Sequence, residues 1–330
     1  RYFRLTSLTS LSGKSVSLWE VQLFNDASAA SMLSRIASLS ASVAALPAST
    51  PEEKIKRVVL EVSIERASAS LNAGETAHAD LLLDDVQNNL TADPAVMAAQ
   101  VSVLSNIRVL RPLLQTGVAN NPYLKRLIDG VTLFLAAPDS AWEKNTARIN
   151  VFEDFNLART TGAQMDALFW IFAHPDSPMK NDPEILRRLL RRTHAYLDAI
   201  QVHGPSLHAG QLTSFYDDFA VTPASGVFRE FLMLYPGLVA ANAEADWNAA
   251  MQTAASNLWS AYQNRVASWV NTDVAIACSL YNFGERTSNA AMIAKSEYFI
   301  NEVLTSGRMF EDGAVGYIGT QNEAGGYQAL

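Results

Sequence analysis

From residue 26 onward the sequence predicts an all-α fold, a helical toroid or an irregular bundle, and three observations predict it. Apolar residues recur at helical spacing from Asp26 to about Thr305. Breakers punctuate that pattern at short intervals: Asn121-Pro122, Pro175-Asp-Ser-Pro178 and His203-Gly-Pro205. No strand-like segment interrupts it. Long helices joined by short loops pack as antiparallel pairs.

Residues 1–25 read differently. Arg1-Tyr-Phe-Arg-Leu5 and Ser15-Val-Ser-Leu-Trp-Glu-Val-Gln-Leu-Phe24 are rich in β-branched and aromatic residues, with a turn signal at Ser12-Gly13. They are predicted as two β-strands. Two strands make no stable sheet alone, so partner strands are expected upstream, and the chain is expected to be a fragment of a larger protein. Helices then follow in order. Ser28–Leu46 carries Met32, Ile36, Leu39 and Val43 at helical spacing. Thr50-Pro-Glu-Glu53 is a helix start, with Thr as N-cap, Pro at the first helical position and Glu at the third. Further helices are predicted over 51–71, 75–90, 94–115, 122–136, 158–173, 182–202, 223–234, 237–265, 269–283 and 287–305. No strict repeat is present.

Composition narrows the function classes. With 49% apolar and 18% charged residues over 330 positions, the chain can bury a large core. No stretch reaches the roughly 18 uninterrupted apolar residues that read as a membrane span. The net charge of −8 argues against a nucleic-acid partner, which needs a basic face. An anionic substrate would need a local Arg or Lys. The single Cys278 excludes a disulfide framework and a Cys-type zinc site, and its apolar run Val274–Leu280 predicts a buried small hydrophobe.

Three segments carry candidate chemistry. Ser214-Phe-Tyr-Asp-Asp-Phe-Ala-Val-Thr-Pro223 puts Phe215 and Tyr216 on a loop before a helix at 224–235, where sugar rings could stack. Core packing with Thr222 as a helix cap reads the same residues. Ala267-Ser-Trp-Val-Asn-Thr-Asp273 offers Trp269 as a stacking ring and Asn271 as an amide donor to a carboxylate. A plain Asn or Asp N-cap is the alternative there. The end of the chain, Glu311–Leu330, places five Gly among twenty residues and exposes Tyr317 and Tyr327 on a loop. A loop Tyr can serve as general acid or base, or plug a core. His203 and His208 flank Gly204-Pro-Ser-Leu207, and His208 is a candidate base. A loop-structural role is the other reading. No third ligand accompanies that pair, so no metal or other cofactor is expected. His78, His174 and His194 are expected on helix or loop surfaces.

Taken in order and spacing, these segments resemble the hyaluronate, chondroitin and xanthan lyases, a polysaccharide lyase family of the (α/α) toroid superfamily. Phe215–Pro223 is similar to the family's Trp-Trp-Asp-x-Glu-Ile-Gly-x-Pro aromatic patch. Trp269-Val-Asn-Thr-Asp273 is similar to its Gly-Ala-Asn-x-x-Asp segment, and Asp312-Gly313 with Ala324-Gly-Gly-Tyr327 to its Asp-Gly and Tyr-bearing segment. Asn271 and Tyr327 stand 56 residues apart, close to the family's separation. Where the family has its catalytic His, this chain has Ile318, beside Tyr317. The resemblance covers roughly residues 205–330. Residues 1–25 resemble the closing strands of a discoidin-like carbohydrate-binding β-sandwich.

The resemblance implies an (α/α) toroid over 26–330, truncated at its end, with β-sandwich domains of the same chain beyond Leu330. It implies β-elimination on an acidic polysaccharide by a bacterial secreted or periplasmic enzyme. Asn271 would hold the uronate carboxylate, and Tyr327, with Tyr317 or His208, would move protons. Phe215, Tyr216, Trp269 and Arg308 would bind substrate. Two other readings stay open: a non-catalytic glycan-binding toroid, and a glycoside hydrolase using carboxylates such as Asp217, Asp218 or Asp312.

Overall fold

A computed structural model of the chain describes residues 26–93, 122–136, 155–202, 218–235, 241–267 and 270–305. Ten helices lie among them: α1 (Asp26–Ala44), α2 (Pro51–Asn72), α3 (Thr76–Asn89), α4 (Pro122–Ala136), α5 (Phe155–Ala173), α6 (Pro183–Val202), α7 (Asp218–Leu234), α8 (Ala241–Tyr262), α9 (Val270–Arg286) and α10 (Ala290–Thr305). No strand occurs among the described residues, so these segments are all-α. The two strands expected in 1–25 and the helix expected over 94–115 lie outside them.

Helix ends follow local chemistry. The capping box at Thr50 forms as the sequence predicts: Thr50 Oγ1 accepts from the Glu53 amide at 3.2 Å, and Glu53 accepts from the Thr50 amide at 3.0 Å. Asp182 Oδ1 accepts from the Glu184 and Ile185 amides at 2.8 and 3.1 Å and so caps α6. Asn289 Oδ1 does the same for α10 through the amides of Ala291 and Met292. Gly74, at φ +82°, reverses the chain after α2, and the Glu75 amide returns to the Ser70 carbonyl at 2.9 Å. One cap is supplied from a distance. Asp85 of α3 accepts from the Asn242 and Ala243 amides and docks the start of α8 onto α3.

Cross-helix contacts fix the chain directions. Phe169 meets Phe231 and Phe172 meets Tyr235, so α5 and α7 run parallel. Thr222 bonds Ala275 and Arg229 pairs with Glu285, so α7 and α9 run parallel too. Glu61 pairs with Arg187 and Glu65 with Arg191, which aligns α2 with α6. Helix α6 returns antiparallel to α5 through the short 174–182 turn. Arg286 reaches Asn248 and Ser296 reaches the Ala277 carbonyl, so α8 and α10 each run antiparallel to α9. The result among these helices is two layers: α5, α7 and α9 lie side by side and point one way, and α6 and α8 pack together and point back. Helix α10 points back too, against α9.

The interface between layers is aromatic. Trp247 of α8 is fully buried, with its ring 5.4 Å from Phe231, 6.3 Å from Phe228 and 5.8 Å from His194. Phe169, Phe172, Tyr196 and Tyr235 continue the cluster. Each such ring removes a large apolar area from water, and tilted or edge contacts add to that.

Three expectations are corrected. Helix α7 begins at Asp218 rather than after Thr222-Pro223. Thr222 sits inside the helix, and its hydroxyl bonds across to α9 instead of capping α7. Cys278 is exposed, because Ala275, Ile276, Ala277, Ser279 and Leu280 take the packed sides of α9 and leave position 278 outward. His174 and His194 are buried rather than on surfaces, and His78 is partly buried. His174 stacks on Trp170 and accepts the Asp176 amide, while His194 meets Trp247 edge-on.

Replacing Thr50 with Ala removes one half of the capping box at an exposed helix start. The expected loss is about 1 kcal/mol in urea unfolding, with Thr50→Ser close to wild type. Equal stability of Thr50→Ala and wild type would show that α2 is held by packing alone.

Candidate functional site

Where α7 lies against α9, small polar residues replace apolar ones. Thr222 Oγ1 donates to the Ala275 carbonyl at 2.8 Å and lies 2.9 Å from Ser279 Oγ. One turn on, Ser225 Oγ donates to the Thr222 carbonyl, and Asn282 Nδ2 donates to Ser225 Oγ at 3.1 Å. Gly226 lies beside them, and a Cβ there would make only ordinary contact with Asn282 Nδ2, at 3.7 Å. This ladder sets the starts of α7 and α9 level with each other. Asn271 falls in the first turn of α9, and Ser214–Asp217 leads directly into α7.

The turn before α9 is fastened separately. Asp273 is fully buried in the first turn and lies 3.7 Å from the Arg265 guanidinium. Lys295 Nζ donates to the Arg265 carbonyl at 2.7 Å, and the Ala267 amide donates to Tyr298 Oη at 3.3 Å. The acidic residue of the Asn-Thr-Asp segment therefore anchors the turn and complements the helix N-terminus. It does not serve as the N-cap.

Of the residues expected to act, His208, Phe215, Tyr216, Trp269, Arg308, Tyr317 and Tyr327 lie outside the described residues, as do Asp217 and Asp312. Asn271 is described as part of α9, and its side chain is outside what is described. Asp218 opens α7.

A second group on the same layer was not picked out by sequence. Asp166 of α5 lies within the electrostatic reach of Glu230 on the parallel helix α7. Asp166 accepts from the Trp170 indole one turn further along α5. Burial first, then the Glu230 charge, push the Asp166 carboxyl up to about 6. Glu230 is raised as well by burial, against the pull of Arg229. Arg229 is shared: it lies 3.7 Å from Glu230, pairs with Glu285 and stacks 5.5 Å above the Tyr281 ring. The Asp166 carboxyl, raised to about 6 beside the Trp170 indole, can hold and release a proton in mild acid. The only sequence signal was an Asp and a Trp four apart within an apolar helix, and an Arg-Glu pair within another. Neither says that the two helices are neighbours.

Among the described residues no group of three or more His, Cys, Asp or Glu could hold a metal ion, and no helix is long and apolar enough to cross a membrane. No protein-family model, curated protein or solved structure matches the chain.

The Asp166 carboxyl carries a pH signature. Its folded pKa of about 6 lies above the ordinary 3.8, so the native state takes up a proton that the unfolded chain does not. Ionised Asp166 costs stability above pH 6, and that cost is relieved as pH falls from 6 towards 3.8. Asp166→Asn keeps an acceptor for Trp170 and should gain about 1–3 kcal/mol at neutral pH, shrinking to nothing in acid. A gain that does not depend on pH, in urea unfolding across that window, would refute the assigned cause.

Proposed function

We propose that the chain belongs to an (α/α) toroid enzyme that cleaves an acidic, uronate-containing polysaccharide by β-elimination. The single observation that carries this reading is the ordered set of segments, an aromatic patch ending in Thr222-Pro223, Trp269-Val-Asn271, and Asp312-Gly313 with Gly-Gly-Tyr327. The packing supports it in two ways. Among the described residues, α5, α7 and α9 share one direction while α6 and α8, packed together, run opposite to them, an arrangement compatible with a toroid of helix pairs. The starts of α7, which follows the aromatic segment in the sequence, and of α9, which carries Asn271 in its first turn, stand side by side.

The chemistry would run without a metal. The proton on C5 of a uronate is weakly acidic, and its removal puts a second negative charge on the carboxylate. An Asn271 amide, with Arg308 as cation, would stabilise that charge where it develops. A base then takes the C5 proton, the electron pair forms the C4–C5 double bond, and the 4-linked sugar leaves with a proton from an acid. Tyr327 is suited to one or both transfers, and Tyr317 or His208 would replace the His that Ile318 displaces. Phe215, Tyr216 and Trp269 would stack on sugar rings. Such an enzyme would act outside the cytoplasm of a bacterium, where these polymers are met.

A second reading rests on Asp166 and Glu230. A carboxyl with a pKa near 6 within reach of another carboxylate is the acid–base pair that a glycoside hydrolase uses.

One assay separates these readings. The protein is incubated with hyaluronate, chondroitin sulfate or xanthan while ultraviolet absorbance and reducing ends are followed. Elimination raises both, and Tyr327→Phe should abolish both while leaving polysaccharide binding intact. Reducing ends without absorbance, lost in Asp166→Asn, establish the hydrolase instead. Binding with neither product marks a glycan-binding toroid. Full turnover by Tyr327→Phe would remove that residue from the mechanism.

A further inference from the structure

Helices α2, α3, α6 and α8 meet at a polar cluster that the proposed reaction leaves unused. The His78 ring joins α3 to both neighbours, with Nδ1 at 2.8 Å from Ser70 Oγ of α2 and Nε2 at 2.6 Å from Asp246 Oδ2 of α8. The same Asp246 oxygen lies 3.4 Å from Arg66 Nη1. His194 of α6 sits beside them, its ring edge-on to Trp247 at 5.8 Å. Neither ring nitrogen of His194 has a hydrogen-bond partner among the described residues. The Ser70–His78–Asp246 chain is not a nucleophile with its base, because Ser70 is fully buried and no substrate could reach it.

The charges around His194 are unevenly matched. Arg66 faces it from α2, His78 from α3 and Asp246 from α8. On α6 itself, Arg191 is paired with Glu65 at 2.6 Å, and Arg192 donates to Gln164 of α5. The contribution of α7 and the rest of α8 is aromatic, from Phe228 and Trp247. Asp85 is engaged by the amides that open α8, and Glu75 lies 3.7 Å from His78 on its far nitrogen. The Asp246 carboxylate is thus already shared by Arg66 and His78. A proton on His194 would add another cation to a dry site whose anion is committed.

We propose that the cluster of His194, Arg66, His78 and Asp246 is an acid-sensitive latch, in which neutral His194 lets α6 pack against α2, α3 and α8, and its protonation releases that joint. Burial, then Arg66, then His78 hold the ring well below its ordinary 6.5, which agrees with this arrangement. The native state therefore binds fewer protons than the unfolded chain in mild acid. Stability is fully present above pH 6.5 and is lost as pH falls below it, by up to tenfold in the folding constant per pH unit.

The test compares urea unfolding of wild type, His194→Phe and His194→Gln at about pH 7.5 and about pH 5.5. His174, also lowered by burial, and Asp166 titrate alike in all three and cancel in the comparison. The drop in folding constant between the two pH values should be about tenfold greater in wild type than in either variant. Drops equal within about twofold would overturn the proposal. Should both variants fail to fold, ring NMR of the wild-type histidines decides: His194 should stay neutral at about pH 5.5, and titration near its ordinary value would sink the latch.

Discussion

The contact of Trp247 with Phe228, Phe231 and His194 is the constraint on which the arrangement of helices depends. The Trp247 ring touches α7 in front and α6 beside it in its own layer. A fully buried indole demands closely fitting neighbours, because interiors pack at crystal density and a gap forfeits dispersion contacts on every wall. Moving α8 along its axis would uncover Trp247 and, in the same step, draw Asp246 away from His78 and Arg66. Hydrophobic and polar requirements thus select one position for the helix.

Polar contacts in the remainder of the molecule set register rather than supply bulk stability. Along α2 and α6, Glu61–Arg187 and Glu65–Arg191 repeat every four residues and align two parallel helices. Between α7 and α9, Thr222, Ser225, Ser279 and Asn282 bond across where larger side chains would hold the helices apart. Partly exposed pairs of the first kind contribute little individually. The second kind sets the starts of α7 and α9 level with each other.

Acid pairs are handled in two contrasting ways. Asp273 is buried against a helix N-terminus with Arg265 at 3.7 Å and has a structural task. Asp166 lies within the electrostatic reach of Glu230, Arg229 is shared among Glu230, Glu285 and Tyr281, and both carboxyls are raised. Charge that is left uncompensated in a partly buried place costs folding energy, and such places are where proton chemistry is found.

Local features were legible in the sequence because they depend on residues a few positions apart. The helical class, the Thr50 capping box and the extents of α2, α4 and α6 follow from period, cap and breaker. The proposed site rests on an order of motifs in the sequence, and most of its residues lie outside the described segments. What tertiary structure decided is every relation between distant helices. The nearness of Asp166 to Glu230 comes from packing α5 against α7, and the sharing of Asp246 by Arg66 and His78 joins residues more than 160 apart. The exposure of Cys278 and the burial of His174 and His194 belong here too. A helix repeats its faces every few residues whatever surrounds it, so its sequence tells which residues share a face. Which face meets which neighbour is settled by long-range packing, where burial and charge from several helices are balanced at once.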